Sequence, residues 1–303
     1  MGYTSVVCVK QVPDTKRITG NAMREDGTVN RAALPAIFNP EDRNALEAAL
    51  RVRDEHGGTV TVVTMGLPSA CDVLREALVR GADRCILVTD RRAAASDTLA
   101  TSYILSCAVH RLAPDLVFCG RQAIDGDTAQ VGPQLAEKLG FTLMTYLETL
   151  ALEGRQARVT RNIGNGRETA LARLPALFTV MESANEMRPA AMRKIMKFKK
   201  ARAPMEIANS VKTALGVSAT PEALAAETSR RTEELAARGL LIDQWNLDDI
   251  GARLEWCGGA GSPTRVNRVQ SVVLAGGDYR EFEPTQASIG QLVAELVQDH
   301  TIG

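Results

Sequence analysis

The chain has 303 residues, of which 45% are hydrophobic and 24% are charged, a composition typical of globular proteins. Its 36 basic and 36 acidic residues cancel, so composition gives no support for binding nucleic acid or an anionic membrane. No apolar run is long enough to cross a bilayer, and the segment MGYTSVVCVK lacks the features of a secretory signal. Six cysteines without a C-x-x-C pair predict free thiols, and three scattered histidines argue against a histidine-based centre. We therefore expect a cytoplasmic protein without a structural metal or a membrane span.

Strands and helices alternate through the first two-thirds of the chain. A β-rich run, SVVCVK, precedes a helix over residues 40–54, whose start is marked by Asn39 at the N-cap and Pro40 at the first helical position. The other predicted strands cover residues 59–66, 84–90 and 115–120, and the other helices cover 68–81, 96–112 and 129–138. This order predicts a doubly wound α/β fold with a mainly parallel, Rossmann-like sheet.

The pattern changes in the last half of the chain. Turn residues at 153–154 and 165–166 predict antiparallel strands at one edge of the sheet. An amphipathic helix is expected over 286–299, near the end of the sequence. We place an α/β domain over 1–204 and a C-terminal extension over 205–303.

Small polar residues follow several of the predicted strands, although a G-x-G-x-x-G turn and a P-loop are absent from the sequence. In a doubly wound sheet such loops meet at one edge, where a nucleotide binds. The loop with Asp125, Gly126 and Asp127 follows a strand and precedes a helix, as a phosphate cradle does, but it carries two acids and no lysine. Helix capping and turn formation explain each such residue taken singly. Together they favour a nucleotide site.

Several motifs, in this order along the chain, resemble the small (beta) subunit of electron-transfer flavoproteins, and their wording resembles the electron-bifurcating branch. The motifs are VKQVPDT (9–15), NPEDRNALEAAL (39–50), GADRCILVTD (81–90), SDTLATSY (96–103), GRQAIDGDTAQVGP (120–133) and IMKFKKA (195–201). The resemblance covers residues 4–204 well and the tail less strongly. In this family the beta subunit pairs with an alpha subunit, which holds the electron-carrying FAD. The resemblance thus implies that 1–204 is a nucleotide-binding domain and that the extension over 205–303 packs on the alpha subunit or another partner.

The resemblance also implies a cofactor and partners. The beta subunit of the bifurcating branch binds FAD at the sheet edge, whereas that of the housekeeping branch binds structural AMP. The implied reaction is hydride transfer from NADH to this FAD. Electrons then pass to the alpha-subunit FAD, to an acyl-CoA dehydrogenase-type or quinone-linked partner, and to ferredoxin or flavodoxin. The loop over 120–132, with its small Gly126, favours FAD, and AMP remains the alternative.

The cofactor-binding residues implied by the resemblance lie in several short segments. They are Cys8, Lys10, Asn39, Pro40, Asp42, Met65, Asp97, Thr98, Thr101, Gly120, Gln122, Ala123, Asp125, Gly126, Asp127, Thr128, Ala129, Gln130, Val131 and Gly132. The acids are expected to face ribose or ribityl hydroxyl groups and backbone N–H groups, while backbone N–H groups of residues 128–132 face phosphate. Arg121 is a candidate for stabilising phosphate or anionic flavin, with a surface salt bridge as the alternative. No catalytic acid or base is expected, because a flavin would supply the redox chemistry.

A second implied site is a docking surface for the redox partner. Met192 takes the place of the apolar anchor in the family's recognition loop, and a basic run over 194–200 follows it. The implied docking residues are Met192, Arg193, Ile195 and Lys197. A solvated basic helix end is the alternative interpretation.

Overall fold

The fold is an α/β sheet covered by helices, seen in a computed structural model that describes residues 2–14, 34–216, 220–264 and 281–298. The strands are β1 (Tyr3–Cys8), β2 (Gln11–Pro13), β3 (Ala36–Phe38), β4 (Gly58–Met65), β5 (Arg84–Val88), β6 (Leu116–Gly120), β7 (Thr142–Glu153), β8 (Gln156–Asn162), β9 (Arg167–Arg173), β10 (Ala176–Val180) and β11 (Asp243–Trp245). The helices are α1 (Pro40–His56), α2 (Cys71–Arg80), α3 (Thr98–Leu112), α4 (Val131–Leu139), α5 (Met192–Phe198), α6 (Pro204–Leu215), α7 (Pro221–Ala237) and α8 (Gln286–Gln298). Thr15 of the first predicted motif and residue 299 of the predicted last helix lie outside the described residues.

The strands of the main sheet follow the order β11-β5-β4-β1-β6-β10-β7-β8-β9. Neighbouring strands from β11 to β7 are parallel. In contrast, β7, β8 and β9 form an antiparallel meander, and β2 pairs with β3 in a small separate ribbon. The predicted doubly wound fold with antiparallel strands at one edge is therefore confirmed.

Apolar layers cover both faces of the sheet. On one face Leu46 of α1 and Leu74 of α2 belong to the same buried cluster as Phe118 of β6. On the other face Ile104 of α3 and Leu135 of α4 are buried. Each such side chain contributes roughly 1.5–3 kcal/mol of transfer free energy. This packing holds the carboxyl ends of β1, β4 and β6 side by side, and it thereby creates the edge on which a site can form.

The start of α1 corrects the predicted role of Asn39. This residue precedes the helix, but its side chain makes no capping hydrogen bond. Its Nδ2 donates to the Gln122 carbonyl at 2.9 Å, and its Oδ1 accepts from the Ile124 N–H at 3.1 Å. Asp97, in contrast, caps α3 by accepting from the Ala100 N–H at 2.9 Å. The Asn-Pro pair therefore marks the start of the helix. The direction of the asparagine side chain depends on its hydrogen bonds with the carbonyl and the N–H of the facing loop.

Part of the predicted extension belongs to the main sheet. β11 pairs with β5, and the guanidinium carbons of Arg84 and Arg111 lie 5.6 and 5.1 Å from the Trp245 ring. This segment packs on its own chain, whereas the domain boundary at 204 and the packing of the extension on a partner stay predictions. Within the described ranges, no helix combines the length and the apolar character that a membrane span requires.

Candidate functional site

A cleft of about 410 Å³ lies at the carboxyl ends of β1, β4 and β6, the edge where the sequence predicts a nucleotide. Its volume falls in the range of small-molecule sites. Most of the predicted cofactor residues line it, namely Cys8, Lys10, Asp42, Met65, Asp97, Thr98, Thr101, Gly120, Gln122, Ala123 and residues 126–132. The fold thus gathers segments that are up to 124 positions apart in the sequence, from Cys8 to Gly132, around one space.

Three predicted cofactor residues do not line the cleft. Asn39 holds the loop by its two side-chain hydrogen bonds. Pro40 occupies the first position of α1, where a missing N–H has no cost. Asp125 pairs with Lys10, whose Nζ lies 2.7 Å from Oδ1. These contacts support the loop, and direct contact of the three residues with a cofactor stays a prediction.

The cleft wall also contains four residues outside the predicted cofactor set, Val9, Ser96, Leu105 and Cys119. Ser96 belongs to the predicted motif SDTLATSY and stands next to Asp97. Cys119 could have been found, because it precedes Gly120 at the end of a predicted strand. The apolar Val9 and Leu105 carry no such signal. Arg121 lines the cleft as well, but its Nε donates to Glu41 Oε1 at 3.0 Å, so the salt-bridge alternative is what the structure contains.

Buried carboxylates join the start of α1 to the neighbouring strands. Asp42 accepts the Lys10 N–H at 2.8 Å and the Gly120 N–H at 3.0 Å, one on each carboxylate oxygen. Glu41 accepts the Gln122 N–H at 2.7 Å. The two acids that the sequence places at the positive end of a helix therefore also fix the carboxyl ends of β1 and β6.

Burial raises the pKa of Asp42 from 3.8 to about 7. The hydrogen bonds from Asn39, Lys10 and Gly120 act in the opposite direction, whereas the nearby Glu41 adds to the rise. A carboxyl group in the cleft wall therefore exchanges its proton near neutral pH, which no sequence pattern indicated.

The glycines of the loop differ in how much space a Cβ atom would find at each position. A Cβ on Gly120 would lie 2.4 Å from Asp42 Oδ1 and 2.8 Å from the Asp42 backbone nitrogen. A Cβ on Gly132 would lie 2.7 Å from Thr179 Cγ2. A Cβ on Gly126 would meet no atom within 4 Å. Gly120 and Gly132 therefore allow close packing, whereas Gly126 leaves space at the cleft wall.

The loop before α4 can hold an anion through its backbone. Asp127 and Ala129 have φ of +48° and +52°, in the left-handed region, and Gln130 follows in the right-handed region. Alternating backbone conformations of this kind point successive N–H groups to one side. The first N–H groups of α4 add to them, because they have no partner within the helix. Since Asp125 is paired with Lys10, one of the two acids of the loop is already compensated.

A second cavity of about 600 Å³ adjoins the cleft, and Met65 lines both. Its wall is mostly apolar and includes Leu67, Pro68 and Val88. Its acid, Asp90, is compensated, because hydrogen bonds from Arg92 lower the pKa of Asp90 to about 2. The two cavities together offer room for a ligand with a charged part over the loop and a flat apolar part beyond Met65.

Residues of the extension bind the start of α3, which lines the cleft. The Asp97 N–H donates to Ser262 Oγ at 2.8 Å, and Asp97 Oδ2 accepts from the Thr264 N–H at 3.0 Å. Across the cleft, Thr98 Oγ1 donates to Gln130 Oε1 at 2.8 Å. Residues 258–264 therefore hold the helix start that faces the loop.

The predicted docking residues lie together on the short helix α5. Met192 and Met196 are 71% and 52% exposed, and they share one face because they are four positions apart. Arg193 and Lys197 are exposed, and Ile195 is half-buried. The sequence-predicted set is thus an apolar face bordered by positive charge.

An ion network fixes the segment that leads into α5. Arg188 donates to Glu47 Oε2 at 2.8 Å and to Asp54 Oδ2 at 2.8 Å, both on α1. Although burial opposes it, hydrogen bonds from Arg188 and Arg51 keep the pKa of Glu47 below its usual value. The docking helix is therefore joined to α1, whose first turn borders the cleft.

Comparisons with known proteins agree with this geometry. Residues 26–206 match the family described as "Electron transfer flavoprotein domain". The chain is 40% identical over 303 residues to "Protein FixA" of Azorhizobium caulinodans, covering 95% of this chain and 92% of that one. It is 39% identical over 297 residues to "Electron transfer flavoprotein subunit beta" of Clostridium acetobutylicum, covering 98% and 99%. It is 37% identical over 300 residues to "Caffeyl-CoA reductase-Etf complex subunit CarD" of Acetobacterium woodii, again covering 98% and 99%.

A mainly parallel sheet with a cleft at the carboxyl edge of its strands is typical of ligand-binding α/β proteins of the doubly wound class. The family match over more than half of the chain shows that it belongs to the electron transfer flavoprotein family. The nearly full-length relatives confirm the sequence-based recognition of an electron transfer flavoprotein beta subunit.

Proposed function

We propose that this chain is the FAD-binding beta subunit of a cytoplasmic electron-bifurcating flavoprotein. The observation that carries the proposal is the cleft between the 120–132 loop and the start of α3, together with a second, mostly apolar cavity that shares Met65 with it. A mononucleotide would need only the first space. A dinucleotide with a flat ring system would use both.

The chain's residues would bind and orient this cofactor. Backbone N–H groups of residues 128–132 would hold phosphate, since they combine the turn at Ala129 with the start of α4. Thr98 and Thr101 would supply hydroxyl groups from the opposite wall. The open space at Gly126 would leave room for the ligand beside the loop. The other predicted cofactor residues that line the cleft would complete this wall, while Asn39, Pro40 and Asp125 would support its loop.

When bound, FAD would supply the redox chemistry, taking hydride from NADH and passing electrons to the FAD of the alpha subunit and to ferredoxin or flavodoxin. The protein excludes water and sets the electrostatics around it. Near neutral pH, Asp42 would exchange a proton at a carboxyl oxygen in the cleft wall, which couples the charge of this wall to pH.

The partner that receives electrons through the alpha subunit would be an acyl-CoA dehydrogenase-type or quinone-linked enzyme. One relative is named as a subunit of a complex with caffeyl-CoA reductase, and this supports a CoA-ester enzyme as the partner. The exposed face of Met192 and Met196 would enter an apolar pocket of that enzyme, while Arg193 and Lys197 would meet acidic residues around it.

The alternative is a beta subunit that binds structural AMP, for which the 410 Å³ cleft alone gives enough room. Co-expression with the alpha subunit, followed by release and chromatography of the nucleotides, separates the two functions. We expect two FAD molecules for each heterodimer and no AMP. One FAD and one AMP for each heterodimer would show that the proposed function is wrong and that the alternative holds.

A further inference from the structure

Two cysteines lie side by side in the cleft wall, and the proposed function makes no use of their thiols. Cys8 is the last residue of β1, and Cys119 stands directly opposite it on β6 in the parallel register. Both are nearly buried, at 7% and 6% exposure, yet both line the 410 Å³ cleft. Their side chains point to the same face of the sheet, where both belong to one buried cluster.

The strand geometry suits a bridging atom better than a disulfide. Neighbouring strands are about 4.8 Å apart, so paired positions hold their Cβ atoms at about that distance. In a disulfide the Cβ atoms approach to about 3.8 Å. An atom within the cleft that bonds to both sulfurs requires no such approach of β1 to β6.

We propose that Cys8 and Cys119 form a dithiol site for trivalent arsenicals. An organic arsenoxide, which carries one arsenic–oxygen double bond, condenses with two thiols. That bond and both S–H bonds break, two arsenic–sulfur bonds form, and the oxygen leaves with both protons as water. Arsenic stays trivalent, so the reaction needs no oxidant or reductant. This site goes beyond the proposed function, because it depends on the two thiols and not on a bound cofactor.

The other cysteines are less suited to this chemistry. Cys71 and Cys85 are buried in the cluster on the opposite face of the sheet. Cys257 is buried and its Sγ donates to the Arg253 carbonyl, while Cys107 is the most exposed cysteine. Within the described ranges, no group of three or more His, Cys, Asp or Glu residues could hold a metal ion. The cleft pair is therefore a two-sulfur site.

The protonation of the Cys119 thiol distinguishes this pair from a single reactive cysteine. The hydrogen bond with Cys8, together with burial, raises the pKa of Cys119 well above its usual value. Reagents that attack single thiols should modify Cys107 first, because it is the most exposed cysteine. An arsenical gains instead from binding two sulfurs, because its second bond forms within the molecule.

The test treats the reduced full-length chain with one equivalent of phenylarsine oxide and maps the product by proteolysis and mass spectrometry. We expect one arsenic atom to bridge the peptides of Cys8 and Cys119 and to resist an excess of a monothiol. Arsenic on the peptides of Cys107 or Cys257, or no retained arsenic, would overturn the proposal. This measurement uses the unmodified protein, so a variant that fails to fold does not affect it.

Cysteine variants and a comparison with added FAD make the test more specific. Cys8→Ala and Cys119→Ala should each weaken retention by about 100-fold or more, whereas Cys107→Ala should leave it unchanged. Retention that survives both cleft variants would contradict the site. Prior incubation with FAD should slow the reaction if FAD binds in this cleft. If FAD gives no protection while arsenic still bridges the two peptides, the dithiol site stands and the proposed FAD site fails.

Discussion

The cleft and the docking segment, residues 182–198, are held in place by different means. At the cleft, backbone groups meet buried atoms directly, as where the Gly120 N–H donates to Asp42. The docking segment keeps its methionines exposed, and it is joined to α1 by charged side chains, chiefly Arg188 with Glu47. Both depend on α1, which carries Asp42 near its start and Glu47 further along.

This difference indicates where each region tolerates change. Around the cleft the buried polar groups have specific partners, so altering one of them affects the whole fold. In the docking segment every residue is itself exposed or half-buried, so a change there should loosen the segment without unfolding the sheet. The predictions below test this contrast, beginning with the largest expected effect.

The largest effect should come from the pH dependence that Asp42 creates. Its pKa is about 7 in the folded chain and 3.8 when exposed, so the folded state retains a proton that the unfolded chain loses. Its stabilising contribution is full below pH 3.8 and is lost as the pH rises through about 7. The free energy of unfolding of the wild type, relative to Asp42→Asn, should fall by about 3 kcal/mol between about pH 4.5 and pH 7.5. Urea unfolding at several pH values measures it.

The control for this prediction is Glu255→Gln, which removes an exposed carboxylate of the extension. Its difference from the wild type should vary by less than about 0.5 kcal/mol over the same range. Asp42→Asn also changes the hydrogen bonds to Lys10 and Gly120, which adds an offset that does not depend on pH. If the wild type and Asp42→Asn follow parallel pH curves, Asp42 does not titrate near neutral pH.

A pair of glycine variants tests the packing of the loop. Gly120→Ala should lower the free energy of unfolding by about 2 to 3 kcal/mol, because its Cβ would overlap Asp42 at 2.4 Å. Gly126→Ala should change stability by less than about 0.5 kcal/mol, because its Cβ meets no atom within 4 Å. Equal stability of the two variants would contradict the close approach at Gly120.

In the docking segment, Arg188→Ala should act locally. It removes the bonds to Asp54 and leaves the buried Glu47 with Arg51 as its charged partner. We expect a loss of about 1 to 2 kcal/mol in the stability of this segment, and hence roughly tenfold faster amide exchange over 182–198. Hydrogen exchange read by mass spectrometry measures it, and the exposed Arg230→Ala on α7 serves as the control. Faster exchange across β1 and β6 as well would show that the two regions are not separate.

Much of the fold could be predicted from local pattern. The apolar runs that become β4 and β6 are largely buried on both faces, and the turn at 154–155 lies one residue from its predicted position, so periodicity and turn chemistry sufficed. β11 escaped prediction because Asp-Gln-Trp is short and polar, and only its pairing with β5 makes it a strand. Long-range pairing of this kind leaves no local signal.

The candidate site, like the fold, has features that could be predicted from the sequence and features that could not. Its segments could be predicted, because they follow predicted strands or carry the family motifs. Contacts within the site could not be predicted, because they depend on partners distant in the sequence. Asn39 turns inward to reach Gln122 and Ile124, and Ala129 adopts a left-handed conformation that its residue type disfavours. The proton on Asp42 likewise results from burial, which only the assembled fold provides.

The smallest predicted effect tests whether the extension is part of the cleft. Ser262 Oγ accepts the Asp97 N–H and donates to the Gly258 carbonyl, both at 2.8 Å. Ser262→Ala should therefore lower the free energy of unfolding by about 1 kcal/mol and speed amide exchange in the first turn of α3. Ser210→Ala, at an exposed position of α6, is the matched control and should leave that turn unchanged.

Unchanged exchange in Ser262→Ala would mean that α3 holds its position without the extension. Faster exchange confined to α3 would instead mean that the functional cleft extends beyond the predicted boundary at 204, because a residue of the extension determines the geometry of its wall.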